Sequence, residues 1–96
     1  MPAQLRIYDI KPGRMAGFLE FFDTEVAPTR MAYGFDVIGP WIDDDTNQFV
    51  WIASYDGAAP WDEAEQRYRE SPERNNLSRD PMDFIDSVDA RMLGKK

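Results

Sequence analysis

The segment Gln48–Tyr55 constrains the fold of this chain most, because an extended conformation would make both of its faces apolar. Its β-branched and aromatic residues (QFVWIASY) strongly favour a strand. Side chains alternate along a strand, so Phe49 and Trp51 point to one side while Val50 and Ile52 point to the other. The segment therefore predicts a strand whose two faces both need to be covered.

Strand and helix patterns alternate along the rest of the chain. Apolar residues spaced three and four apart after Arg14 predict a helix that Pro28 interrupts and Gly34 ends. Pro40 lacks an N–H, which indicates that its strand lies at a sheet edge. In chain order the patterns predict a strand at residues 4–10, a helix at 14–33, strands at 36–42 and 48–55, a helix at 60–70 and an undecided segment at 82–93.

The last segment fits two structures. Asp80 and Pro81 are typical of a helix start, whereas Val88 and Met92 fit one face of a strand. Local rules do not choose between these alternatives. If the segment is a strand, the order becomes β-α-β-β-α-β, the α+β ferredoxin-like fold with a four-stranded antiparallel sheet.

The length of the chain limits how such a sheet can be covered. A chain of 96 residues has helices for only one face of the sheet. The other face would expose apolar side chains, and large exposed apolar surfaces mark interfaces. The simplest closed arrangement is a two-fold homodimer in which sheet packs on sheet, so the expected partner is a second copy of this chain.

Several short motifs resemble, in their order and spacing, those of the NIPSNAP family. The motifs are Leu5-Arg6-Ile7-Tyr8, Lys11-Pro12-Gly13, Tyr33-Gly34-Phe35, Gly39-Pro40-Trp41 and Tyr55-Asp56. That family belongs to the dimeric α/β-barrel superfamily, in which two ferredoxin-like subunits form a closed sheet with a cavity. The resemblance therefore implies a single NIPSNAP-like domain over residues 1–96, a strand at residues 82–93 and a dimeric α/β barrel.

The composition removes several classes of function. The chain has neither Cys nor His, so it has no thiolate nucleophile, no imidazole base and no typical zinc site. Its formal net charge of −7 argues against nucleic acid or an anionic membrane surface as a partner. Runs of about 18 apolar residues and secretion signals are missing, so we expect a cytoplasmic protein. We expect neither a metal nor a cofactor.

Polar and aromatic residues on the predicted strands form a candidate binding site. Arg6 and Tyr8 share one strand face, where they could bind a carboxylate, carbonyl or phenol, or could form an interface ion pair beside a packed ring. Trp41, Trp51 and Tyr55 could line a pocket for a flat apolar ligand, or could fill the barrel interior and the dimer contact. All five are predicted ligand-binding residues, and no residue is assigned a catalytic role.

Charged residues alternate in the second half of the chain. Arginines and acidic residues interleave at Glu65, Arg67, Arg69, Glu70, Glu73, Arg74, Arg79 and Asp80. Such interleaving is typical of a solvated helix surface. We therefore expect these side chains to face solvent.

Three functions remain compatible with the sequence. The working prediction is a NIPSNAP-like protein that binds a small apolar or aromatic molecule in the barrel cavity. One alternative is a cofactor-free enzyme, such as a monooxygenase, cyclase or isomerase acting on small aromatic or polyketide compounds. The other is a protein–protein adaptor with a filled barrel. Fold alone does not decide among them.

Overall fold

The structure of the protein is a computed structural model that describes residues 2–94. The elements in chain order are β1 (Ala3–Ile10), α1 (Met15–Phe21), a π-type turn (Phe22–Val26), α2 (Ala27–Ala32), β2 (Phe35–Asp43), β3 (Gln48–Tyr55), α3 (Trp61–Arg69), α4 (Pro72–Asn75), a 3-10 turn (Pro81–Asp83) and β4 (Ile85–Leu93). Within the described range, none of the helices has the length and apolar character needed to cross a membrane.

The strands form an antiparallel sheet in the order β2-β3-β1-β4. With its helices this sheet has the ferredoxin-like α+β arrangement, which confirms the predicted fold class. β2 lies at a sheet edge, as Pro40 indicated. The undecided final segment is a strand, because β4 pairs with β1 from Ala3 opposite Leu93 to Ile10 opposite Ile85. This long-range ladder outweighs the local helix-start signature.

Asp80 does cap a helical turn, but a short one. Its carboxylate accepts a hydrogen bond from the backbone N–H of Met82 at 2.9 Å. Pro81 begins the 3-10 turn, where a missing N–H carries little penalty. The chain enters β4 at Ile85, so the helix-start pattern is real but governs only one turn.

The first helical region runs without a gap from Met15 to Ala32, so a wider turn before Pro28 replaces the interruption that the sequence predicts. The helix widens over Phe22–Val26, where the N–H of Ala27 bonds to the carbonyl of Phe22, five residues back. Pro28 then lies in the first turn of α2, where its missing N–H is tolerated. The wider turn relieves the clash that a proline ring makes with the carbonyl four residues before it.

The helices cover one face of the sheet, and the core lies between them. In the β1–β3 ladder Arg6 stands opposite Trp51, and Tyr8 stands opposite Phe49. Both β3 residues are fully buried. The ring of Phe18 on α1 packs edge-on against Phe49, with centroids 4.7 Å apart. The first of the two apolar faces predicted for β3 is therefore the core face.

A bulge in β2 decides where Trp41 points. Ile38 pairs with Ile52 and Trp41 pairs with Val50, so β2 has one more residue than β3 between these pairs. Gly39 lies in the bulge with a φ of +105°, which L side chains rarely adopt. Because the side-chain period of a strand is two, the extra residue moves Trp41 to the side away from the helices.

That side of the sheet, which we name the uncovered face, is also apolar. Trp41 is 53% exposed, and Ile38 is 43% exposed. Val50 and Ile52 are half-buried between their neighbours. Among residues 2–94, the apolar residues of the uncovered face that are larger than alanine are Leu5, Ile7, Ile38, Trp41, Val50, Ile52 and Leu93. This is the second apolar face that the pattern of β3 predicts.

Candidate functional site

A cavity of about 330 Å³ lies between the helices and the face of the sheet that they cover. Arg6, Tyr8 and Trp51 form its polar floor on β1 and β3, and Phe18 and Val26 contribute apolar walls. The other lining residues are Arg30, Tyr68, Arg69, Arg74, Leu77, Pro81, Met82, Ile85 and Val88. Within residues 2–94, no group of three acidic side chains is placed to hold a metal ion.

Hydrogen bonds join the three residues of the floor. The Tyr8 hydroxyl oxygen accepts one bond from Arg6 Nη1 at 3.3 Å and another from Trp51 Nε1 at 3.0 Å. A hydroxyl oxygen has two acceptor positions, so both are used. The hydroxyl proton of Tyr8 is then available to a group inside the cavity.

Glu65 on α3 binds three arginines beside the cavity. It accepts a hydrogen bond from Arg6 Nη2 at 3.0 Å and another from Arg69 Nε at 3.1 Å. Arg30 donates to it through both terminal nitrogens, with Nη2 at 3.1 Å. We name these four residues the Glu65 cluster. It ties β1, α2 and α3 together around the cavity.

The arginines keep Glu65 ionised. Burial by itself would raise the pKa of this carboxyl. The hydrogen bond and charge of Arg30, supported by Arg6 and Arg69, instead lower the pKa from 4.5 to about 2. Burial likewise opposes the charge of Arg6, but Tyr8 and Glu65 raise the pKa of Arg6 above its usual value. Glu65 and Arg6 are therefore both charged at neutral pH.

Arg30 is the most buried arginine of the cluster. Its guanidinium carbon lies 4.2 Å from the ring centroid of Tyr68 and 4.8 Å from that of Phe35. Stacking on aromatic faces leaves the edge of the guanidinium free to bind Glu65 with two parallel hydrogen bonds. Arg30 thus holds α2 against α3 and fixes the position of Glu65.

Three of the five predicted site residues line the cavity together: Arg6, Tyr8 and Trp51. Trp41 and Tyr55 do not line this cavity, and their part in a ligand site stays a prediction. The bulge in β2 puts Trp41 on the uncovered face, and Tyr55 packs in the core away from the cavity. The cavity itself lies between the sheet and the helices of a single chain, whereas the expected barrel cavity would lie between the sheets of two chains.

Sequence reasoning missed the buried partners of Arg6. The interleaved charges predicted a solvated surface, but the side chain of Glu65 is only 13% exposed. A signal was present, because Glu65 lies four residues after Trp61 and three before Tyr68, on the apolar stripe of α3. An acidic residue within an apolar stripe indicates a buried ion pair.

Solved structures with low sequence identity share this fold. An uncharacterized NIPSNAP domain protein from Burkholderia xenovorans is 19% identical with a TM-score of 0.86, and the alignment covers 100% of this chain and 95% of that one. A NIPSNAP family protein from Agrobacterium tumefaciens is 20% identical with a TM-score of 0.84, and the alignment covers 99% of this chain and 85% of that one. A provisionally named antibiotic biosynthesis monooxygenase from Nitrosomonas europaea is 15% identical with a TM-score of 0.72, and the alignment covers 99% of this chain and 98% of that one.

Sequence comparison assigns the family more directly than these structures do. No curated protein has a significant match to the chain. The NIPSNAP family model, however, matches residues 3–96, which is nearly the whole sequence. The predicted resemblance is confirmed, and the chain belongs to the NIPSNAP family.

Proposed function

We propose that this protein binds a small apolar or aromatic molecule in the cavity between its sheet and its helices. The observation that carries the proposal is the floor of the cavity, where Arg6, Tyr8 and Trp51 present polar groups beneath apolar walls. Ligand sites typically combine such walls with a few polar groups that orient the ligand. We also propose a cytoplasmic location, which rests on the sequence alone.

The size of the cavity restricts the ligand. Pockets for small molecules usually range from about 300 to 1,000 Å³, so this one is at the small end. Phe18, Val26 and Ile85 are apolar lining residues that would contact the body of a flat ligand. A molecule of about two fused rings is therefore a suitable probe.

Blocking the mouth of the cavity should abolish binding of such a probe. Val88 lines the cavity and is 46% exposed, so Val88→Trp places a bulky ring at the mouth with little penalty for folding. We expect isothermal titration to show binding of 2-naphthol to the wild type and at least tenfold weaker binding to the variant. Met31→Trp is the control, because Met31 is similarly exposed but lies outside the cavity lining. Equal affinities of Val88→Trp and Met31→Trp would contradict the proposal.

We further propose that two copies of the chain pack through the uncovered face. Among residues 2–94, seven apolar side chains larger than alanine line that face, and Trp41, Ile38 and Leu93 are 53%, 43% and 42% exposed in the single chain. A two-fold dimer would cover each of these faces with an identical one. Lysine substitutions at Ile52 and Trp41 on this face test whether the chain forms this dimer.

A second candidate function is a cofactor-free enzyme acting on small aromatic compounds. It is favoured by the Tyr8 hydroxyl, which receives two N–H donors at the cavity floor and could exchange a proton with a phenolic ligand. In an oxygenase of this kind, a hydroquinone would be both the electron donor and the substrate. One atom of O2 would enter its ring and the other would leave as water, so that the products are a hydroxyquinone and water.

An oxygen electrode can test this alternative with 1,4-dihydroxynaphthalene. If the protein is such an enzyme, oxygen uptake should exceed the spontaneous rate and fall at least tenfold in Tyr8→Phe. The matched control is Tyr33→Phe, because the Tyr33 hydroxyl is also hydrogen-bonded, but it donates to Glu73 and lies outside the cavity lining. Uptake at the spontaneous rate would remove the hydroquinone oxygenase from consideration.

A further inference from the structure

The charge of the cavity lining is opposite to that of the chain. The chain has a formal net charge of −7. The charged residues that line the cavity, within residues 2–94, are all arginines: Arg6, Arg30, Arg69 and Arg74. Four positive charges in the lining do not help to bind a neutral molecule. When such a ligand displaces water from the cavity, the guanidinium groups lose hydration, which costs free energy.

Glu65 balances only part of this positive charge. Its single carboxylate binds Arg6, Arg30 and Arg69. Three guanidinium groups against one carboxylate leave an excess of two positive charges beside the cavity. Arg74 adds a third, because its side chain has no ion-pair partner among residues 2–94.

The hydrogen-bond donors of the lining are also incompletely used. Arg6 donates to Gln4, Tyr8 and Glu65, which occupies three of its five N–H groups. The Tyr8 hydroxyl accepts two bonds and keeps its own proton to donate. Arg74 is half-buried on α4, where its guanidinium is a further donor at the cavity. Donors thus exceed acceptors in the lining.

We propose that the ligand of this cavity carries an oxyanion, a carboxylate or phosphate, and that Arg74 is the residue that binds it. This inference rests on the proposed function, since it concerns the same cavity. The planar guanidinium of Arg74 can pair with either oxyanion through two parallel hydrogen bonds. The excess positive charge of the Glu65 cluster attracts the same group, while the apolar walls receive the rest of the ligand.

Three ligands with the same ring system separate charge from shape: 2-naphthoate, 2-naphthyl phosphate and the neutral 2-naphthamide. By isothermal titration we expect at least one oxyanion to bind the wild type tenfold or more tightly than the amide. Of the two, the tighter ligand identifies the preferred head group. Raising the NaCl concentration should weaken binding of the oxyanions and leave that of the amide almost unchanged.

Variants of arginine assign the effect to one residue. Arg74→Gln should weaken binding of the oxyanion at least tenfold and change binding of the amide less than twofold. Arg67→Gln is the control, because Arg67 lies on the exposed side of α3 and pairs with Glu63 outside the cavity. Thermal denaturation should show both variants folded, since each substitution removes a side chain that is at least partly exposed.

The outcomes distinguish this inference from the proposed function. Equal affinity for oxyanion and amide, or an equal loss of both in Arg74→Gln, would overturn the inference while leaving a ligand-binding cavity. If 2-naphthol and all three of these ligands fail to bind, the proposed function fails and the inference fails with it.

Discussion

Replacing Glu65 with alanine is expected to destabilise the protein by about 3–5 kcal/mol, because it leaves buried arginines without a counter-charge. Arg30 and Arg6 are both buried and both bind this carboxylate. Urea denaturation followed by circular dichroism measures the change in the free energy of unfolding. Since small domains have a stability of roughly 5–15 kcal/mol, a folded but weakened variant is expected.

The matched control for this prediction is Glu63→Ala on the same helix. Glu63 and Arg67 form an exposed ion pair four residues apart, with side chains 63% and 55% exposed. Exposed pairs of this kind contribute about 1 kcal/mol or less. Similar losses in Glu63→Ala and Glu65→Ala would show that the Glu65 cluster has no special role. If Glu65→Ala does not fold, Glu65→Gln, which keeps the size and part of the hydrogen bonding, allows the same comparison.

The stabilisation from Glu65 should depend on pH in a defined window. The pKa of this carboxyl falls from 4.5 to about 2 on folding, so the unfolded chain binds the proton more readily between these values. The contribution is therefore complete above about pH 4.5 and is lost as the pH falls towards 2. We expect the difference in unfolding free energy between wild type and Glu65→Gln to shrink across that window. A difference that stays constant would contradict the lowered pKa.

Much of the fold follows from local patterns in the sequence. The alternation of side chains predicts the strands that contain Arg6 and Trp51. It also predicts that both faces of β3 are apolar. Alternation is a property of neighbouring residues. The choice between helix and strand after Pro81 does not follow from alternation, because it depends on the pairing of β4 with β1 at a separation of some eighty residues. Here the family resemblance supplied what local rules could not.

The candidate site was predictable only in part, for two physical reasons. Simple alternation along β2 assigns Trp41 to the helix-covered face, and one extra residue near Gly39 reverses that assignment. The Glu65 cluster unites residues from β1, α2 and α3, so Arg30 and Glu65 become partners only through packing. The burial of Glu65 could be predicted from the apolar stripe of α3, but the identity of its arginine partners could not.

Placing a lysine at the centre of the uncovered face is expected to convert a dimer into a monomer. Ile52 is opposite Leu5 on one side and Ile38 on the other, so its side chain lies among apolar neighbours on this face. In Ile52→Lys a charge would be buried without a partner in the dimer, whereas in the monomer the long side chain can reach solvent. We expect the dissociation constant to rise at least a hundredfold.

Light scattering after size exclusion can follow this change, because the chain has a mass of 11.1 kDa and a dimer has twice that. At about 10 μM the wild type should elute as the dimer, and both Ile52→Lys and Trp41→Lys should elute as monomers. Met31→Lys is the control, because Met31 and Trp41 are each 53% exposed but only Trp41 lies on the uncovered face. A monomeric wild type, or dissociation of the Met31→Lys variant as well, would contradict the proposed dimer. Because the cavity proposed to bind the ligand lies on the other side of the sheet, the monomeric variants should still bind 2-naphthol.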